Sequence, residues 1–226
     1  MKYLKRFKIT DFVIGIVFTL LFISIGVVIT INFRPLYYMD VNLLNIEAES
    51  GYEKEEILNN YNALIDYSSP FFKGELKFPT LPASEQGIQH FREVKNIFTA
   101  FYILGAITIP ISIGIIIYKI KQRDYSYLLV SSITAVVLPT IVGLLLMINF
   151  DAAFHRFHTL FFNNDYWIFD PALDPVILIL PENFFMHCAV FIIFIVVLCS
   201  VIQYLFYRKC KKYIGIQYRK NKGLKL

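Results

Sequence analysis

Four long apolar runs, nearly free of charge, decide what this chain can fold into. They extend over about residues 9–33, 96–118, 125–150 and 184–207. An apolar run of about 18 residues or more is long enough to cross the hydrocarbon of a bilayer as a helix. Composition agrees: 57% of the 226 residues are hydrophobic and mean hydropathy is +0.56. The sequence predicts a mainly α membrane protein, one membrane domain over 1–226 with four transmembrane helices. Two longer polar stretches, 34–95 and 151–183, are expected to be outer loops that form an extracytoplasmic cap of short helices and a small β element. The first run is too long for the apolar core of a signal peptide, and no small-residue cleavage site closes it.

Charge sets the expected orientation. Lys and Arg concentrate in the head MKYLKRFK, in the short loop KIKQRD and in the tail 208–226. By the positive-inside rule these face the cytoplasm, which puts both termini inside and both large loops outside. The net charge of +5 is therefore a topology signal, and no nucleic-acid partner is expected. Cys188, Cys199 and Cys210 lie in or beside the last run. Three cysteines without ligand spacing read as buried apolar residues rather than as a disulfide set or a metal site. No cofactor and no metal is expected.

The first outer loop carries local signals. Ser50 and Glu53 have capping-box spacing. Ile57, Leu58, Tyr61, Leu64 and Ile65 then fall on one helical stripe, which the SSP at 68–70 ends. ELKFP, 75–79, alternates like a short strand. Ser84 can cap a new helix, EQGIQHFREVKNIF, that runs straight into the second span. Pro110 and Pro139, inside the second and third spans, suggest kinks.

The chemistry gathers in the second outer loop and beside it. FDAAFHRFHTLFFNNDYWIFDPALDPVILILPENFF, 150–185, holds His155, His158, the only Trp (Trp167) and several carboxylates. His90 lies a turn or two before the second span, and His155 and His158 a turn or two after the third. At about 1.5 Å per helical residue, two loops bring histidines to one depth, the outer headgroup level. Histidine takes up and returns a proton near neutral pH. One His as general base, with another orienting it or stabilising an oxyanion, would make a site. The plain alternatives are an interfacial aromatic-like His158, a solvated His90 and an aromatic belt around Trp167. Asp170-Pro171 and Asp174-Pro175 read most simply as turns, although Asp165 or Asp170 could also fix a His tautomer. His155 and His158, at i, i+3, could chelate a metal, but no HExxH pattern accompanies them. Neither a phosphate-binding Gly loop nor a GxSxG elbow occurs, which leaves membrane ATPase and Ser hydrolase readings without support.

The stretch FHTLFFNNDYWIFDPALDPVILILPENFF, 157–185, resembles the signature of the lipoprotein intramolecular transacylases (Lit) of Gram-positive bacteria, and HFREVK, 90–95, resembles that family's second short motif. The four-span layout is similar too, so the resemblance covers essentially the whole chain. It implies an acyltransferase whose substrate is a lipoprotein with a diacylglyceryl thioether on its N-terminal Cys. The sn-2 acyl chain would move to the α-amino group of that Cys, giving a lyso-form lipoprotein. The resemblance maps the family's two histidines onto His90 and His158, with His155 a rival for the second position because FHRFH offers two frames. His155, Arg156, Asn164, Trp167 and Asp170 are expected to bind substrate. Diacylated lipoproteins and membrane lipid are the expected partners, in the cell membrane, with the site at the outer leaflet. The competing readings are a non-catalytic membrane sensor or accessory subunit with outer-face histidines, and a metal-dependent membrane hydrolase.

Overall fold

The computed structural model describes residues 8–221; the first seven residues of the basic head and the last five of the tail lie outside them. In chain order the helices are α1 (Ile9–Asn32), α2 (Arg34–Leu43), α3 (Ile46–Ser50), α4 (Lys54–Ser68), α5 (Glu85–Lys121), α6 (Ser126–Ile148), α7 (Phe150–Phe161), α8 (Val176–Ile179) and α9 (Glu182–Asn221). Four of these are long and apolar enough to cross a membrane: Ile9–Asn32, Glu85–Lys121, Ser126–Leu144 and Glu182–Tyr213. Helices suit that role because their backbone groups are satisfied within the segment. α5 and α6 each continue through an internal proline, Pro110 and Pro139.

The chain divides into two compact units. Among the described residues one comprises 8–25, 104–142 and 193–221; the other comprises 26–103 and 143–192. In the first unit Asp11, Lys119 and Asp124 are all buried. Lys119 Nζ lies 2.9 Å from Asp11 Oδ1 and 3.4 Å from Asp124 Oδ2. Ser126 Oγ donates to Asp124 Oδ1 at 2.7 Å and stands 3.0 Å from Asp11 Oδ2. Asp11 thus sits within an apolar helix only because a lysine and a hydroxyl neutralise it.

The second unit has an apolar core built from α2, α4 and α8 and from the first turns of α5 and α9. Tyr37, Val41, Ile57, Tyr61, Leu64, Phe91, Val176, Ile179 and Phe184 belong to it. The rings of Tyr37 and Tyr61 stack at 3.6 Å, and the Tyr37 hydroxyl donates to Ile179 O at 2.6 Å. The stripe expected on α4 is the one that faces this core: Ile57, Tyr61 and Leu64 are buried, and Leu58 and Ile65 pack at its margin.

Two local expectations are corrected. Ser50 caps nothing at α4; it ends α3, and its Oγ accepts from Tyr52 N at 3.3 Å. The N-cap of α4 is Glu53, without a side-chain bond. The second correction concerns 75–79, which forms no strand; none occurs among the described residues. The physical reason lies in Asn60, fully buried on α4. Its Oδ1 accepts from Thr80 N and Leu81 N, and its Nδ2 donates to Thr80 Oγ1 at 2.7 Å. A side chain, not a neighbouring strand, satisfies the end of this segment, while Leu76 and Leu81 bury into the core. The alternation was genuine, but it served one-sided packing on helices.

Candidate active site

Ser84 caps α5 as its position predicts. Its Oγ accepts from Gly87 N at 2.9 Å, and its carbonyl accepts from Ile88 N. The buried carboxylate of Asp174 holds the cap from the segment between α7 and α8, accepting from Ser84 N at 2.7 Å and from Ser84 Oγ at 2.6 Å. A carboxylate at a helix N-terminus also complements the helix dipole. Gly87 makes the approach possible, because any Cβ there would collide with the Asp174 carboxylate. Asp174 is therefore a clamp between loops as well as a turn former. It fixes the first turns of α5, which carry His90.

α7 starts at Asn149, whose Oδ1 accepts from Ala152 N at 2.9 Å, and closes where Phe162 N donates to His158 O. His158, in its last turn, points inward. Its Nδ1 donates to Phe154 O at 2.7 Å; a carbonyl can only accept, so the proton resides on Nδ1 and the lone pair on Nε2. The tautomer is thus fixed by the helix's own backbone and not by Asp165 or Asp170.

The two histidines meet. His90 is 4% exposed and His158 is 7% exposed, and their ring centroids are 5.8 Å apart. Aromatic rings enclose them. Phe162 stands edge-on to His90 at 4.8 Å, Phe169 is 5.5 Å from it, and Trp167 stacks on His158 at 4.6 Å. His90 Nδ1 and Trp167 Nε1 are buried without a hydrogen-bond partner among the described residues. Burial pushes the His90 imidazole down to about 4; His158 adds to this, and Glu93 opposes it. His158 is also lowered, by burial first and by His155 to a lesser extent, against the pull of its bond to Phe154. Both are therefore neutral imidazoles at physiological pH.

The other expected site residues are placed unequally. Trp167 joins the pair directly. His155 is exposed and meets Trp167 edge-on at 4.9 Å, so it is a neighbour of the site and not one of its buried pair. Asn164 reaches the site through Glu93, donating to its two carboxylate oxygens at 3.1 and 3.2 Å. Arg156 and Asp170 are exposed; Asp170 Oδ1 accepts from Ala172 N in a turn. The fourth histidine, His187, has another partner: its Nδ1 lies 2.8 Å from Asp40 Oδ1. Among the described residues no three His, Cys, Asp or Glu side chains converge as metal ligands would. The sequence reading overlooked Glu93, Gln89 and the Asp174 clamp. A signal for Glu93 was present in its i, i+3 spacing from His90.

Four membrane-length helices and a buried pair of neutral histidines define a class: a helical membrane protein with a site suited to proton transfer. The chain belongs to the lipoprotein intramolecular transacylase Lit family, whose sequence model matches residues 12–185. It is similar to the membrane-integral lipoprotein intramolecular transacylase Lit from Bacillus cereus, solved in meso, with 37% identity and a TM-score of 0.87 over 92% of this chain and 98% of that one. Two variants of that protein, with one histidine replaced by arginine or by alanine, match with TM-scores of 0.82 and 0.84. They are 37% and 36% identical to this chain, over 92% and 91% of it and 95% and 94% of theirs. No curated protein sequence matches. Membership in an acyltransferase family does not favour the sensor or accessory reading.

Proposed function

We propose that this protein moves the sn-2 acyl chain of a diacylglyceryl-Cys lipoprotein to the α-amino group of the same cysteine, and that His90 and His158 carry the reaction. The observation that supports this most is the closed aromatic setting of two neutral imidazoles supplied by two separate helices, α5 and α7. His158 is the general base, because its bound Nδ1 leaves Nε2 free to accept a proton. His90 lies beside it and directs an N–H at the ester carbonyl oxygen, which gains negative charge as the amine adds.

Donor and acceptor are one molecule. Holding it folded makes the attack unimolecular, an advantage that reaches several orders of magnitude. The amine nitrogen bonds to the ester carbon, and the carbon–oxygen bond to the glycerol breaks. The proton lost by the amine passes to His158 and returns to the glycerol oxygen. No covalent enzyme intermediate is needed. Arg156, His155, Asn164, Trp167 and Asp170 are the candidate contacts to the headgroup and peptide.

The same reading sets the protein in the cell membrane with both termini cytoplasmic, since the basic segments lie at the ends and in the 119–124 loop. The spans and loops divide as the apolar runs do, at 9–33, 96–118, 125–150 and 184–207. The outer loops then form a cap at the outer leaflet, with membrane lipid around it.

The test is the mass of the N-terminal lipopeptide from a bacterial host without its own lipoprotein N-acyltransferase, with fragmentation locating the second acyl chain. With this protein the chain is found on nitrogen; with His158→Ala it stays on glycerol. Retention on glycerol with the intact, folded protein would overturn the proposal.

A further inference from the structure

One carboxylate beside the histidine pair has no cation. Glu93 lies one turn beyond His90 on the same side of α5 and is half-buried. Its carboxylate accepts only from neutral amides. Gln89 Nε2 donates to Oε1 at 2.9 Å, and Asn164 Nδ2 donates to Oε1 and Oε2 at 3.1 and 3.2 Å. The nearest cationic side chain in sequence, Arg92, is turned to Gln89 Oε1 instead, at 2.7 Å. No Lys, Arg or His forms an ion pair with Glu93 among the described residues.

Neutral amides alone hold this half-buried carboxylate. Buried charges are ordinarily paired, as Asp11 and Asp124 are with Lys119. Amide donors from two separate segments fix the position of Glu93 and leave its charge uncompensated. Next to it, His90 Nδ1 is buried and unpartnered. A fixed, unpaired anion beside an unfilled polar atom is a seat prepared for a cationic hydrogen-bond donor.

We propose that Glu93, held by Gln89 and Asn164, binds the α-ammonium group of the substrate's N-terminal cysteine and delivers it to the histidine pair. The inference rests on the reading given under Proposed function and names a contact within that site. An α-amino group with an ordinary pKa near 8 is mostly protonated at neutral pH, so the acceptor arrives as a cation. Of the substrate's groups at this depth it is the one whose charge complements a carboxylate. The contact also gives direction, since it holds nitrogen beside the histidine pair; the ammonium releases one proton to solvent before it attacks, and the second passes through His158 to the glycerol oxygen. A lipoprotein already acylated on nitrogen has no ammonium and loses the seat, so the product leaves and the site discriminates against N-acylated lipoproteins.

The test uses two unreactive ligands, a dialkylglyceryl-Cys lipopeptide with ether-linked chains and a free α-amine, and the same compound N-acetylated. Their affinities are measured on the full-length protein in detergent micelles at pH 7. The intact protein is expected to bind the free amine about 10- to 100-fold more tightly, the range of a hydrogen bond to a charged group. Glu93→Gln should bring that ratio to near one, with little change for the N-acetyl compound. Glu93→Asp, which keeps the charge one methylene further away, should give an intermediate ratio and serves if Glu93→Gln does not fold. Equal affinities in the intact protein, or an undiminished ratio in either variant, would overturn the proposal. Transfer of the sn-2 chain by the intact protein on the ester substrate, read by mass, is scored separately. If transfer occurs while the ratio survives in Glu93→Gln, this inference alone fails. Absence of transfer counts against the wider reading, whatever the ligand ratio shows.

Discussion

Two buried polar clusters among the described residues are built on opposite plans. In the first unit, Asp11 and Asp124 share Lys119 and Ser126 within 2.7 to 3.4 Å, and Lys8 Nζ lies 3.8 Å from Asp124 Oδ2 as a second cation. In the second unit, His90 and His158 have no ion pair, and His90 Nδ1 has no partner. Both arrangements bury polar groups, yet only the second leaves bonding capacity unused. A saturated cluster stabilises a fold and has nothing left to offer a ligand. An unsaturated one costs stability and is kept open for a substrate. On the function proposed above, the ion cluster serves the fold and the imidazoles serve the chemistry.

The sharpest way to break this contrast is to exchange the consequences. His158→Gln and His90→Gln should each lower the transfer rate by about 1,000-fold, within the range of lost acid–base catalysis, while the melting temperature falls little. A rate within tenfold of the parent would remove the chemistry from the histidines. Asp11→Ala should do the reverse. It leaves Asp124 to accept from both Lys119 and Ser126 and should cost about 1.5–3 kcal/mol of stability, read as thermal unfolding in detergent. Its transfer rate per folded molecule should stay within about twofold, because no site residue changes. If Asp11→Ala lost activity at full stability, the division of labour would be wrong.

The histidines should also make stability depend on pH in a definite direction. The His90 imidazole is held down at about 4, against 6.5 when free. Between those values the unfolded chain binds the proton and the folded chain does not, so stability falls as pH drops from 6.5 towards 4. The loss should approach about 3 kcal/mol and should be absent in His90→Gln. Denaturation across that window checks the sign; a flat profile in the parent protein would show that His90 is not buried as a neutral group. A smaller effect is expected at the loop clamp. Gly87→Ala forces a methyl against the Asp174 carboxylate and should cost about 1–3 kcal/mol, with a rate loss of a few fold as His90 shifts. Parallel melting and transfer measurements would separate the two.

Much of this was legible in the chain. The apolar runs announce the membrane-length helices, because bilayer thickness imposes a length that no soluble fold requires. The Ser84 cap and the α4 stripe could be read because each depends on near neighbours in sequence. Depth alone brought His90, His155 and His158 to one level, and the family resemblance, not depth, singled out His158 over His155. What could not be read depends on contacts across long separations. Asn60 satisfies the backbone of 80–81, so the alternating ELKFP segment never becomes a strand. Asp174 reaches Ser84, 90 residues away in sequence, and its role as a clamp has no local signature. Asp11 shows only as a charge at the head of an apolar run until Lys119 is found beside it. The capping-box spacing at Ser50 and Glu53 failed for a related reason. Gly51, in the left-handed conformation, ends α3 there and starts the turn into α4.

The central claim is that a pair of neutral histidines moves an acyl chain within one substrate molecule. A crossover experiment tests it directly. Two diacylglyceryl lipopeptides, one with an unlabelled peptide and unlabelled chains and one with a heavy peptide and deuterated sn-2 chains, are mixed with the purified protein, and the N-acylated products are weighed and fragmented. The account predicts that each peptide keeps its own chain, moved from glycerol to nitrogen, and that His158→Ala yields no N-acylated product. Deuterated chains on the unlabelled peptide, or unimpaired transfer by His158→Ala, would contradict it.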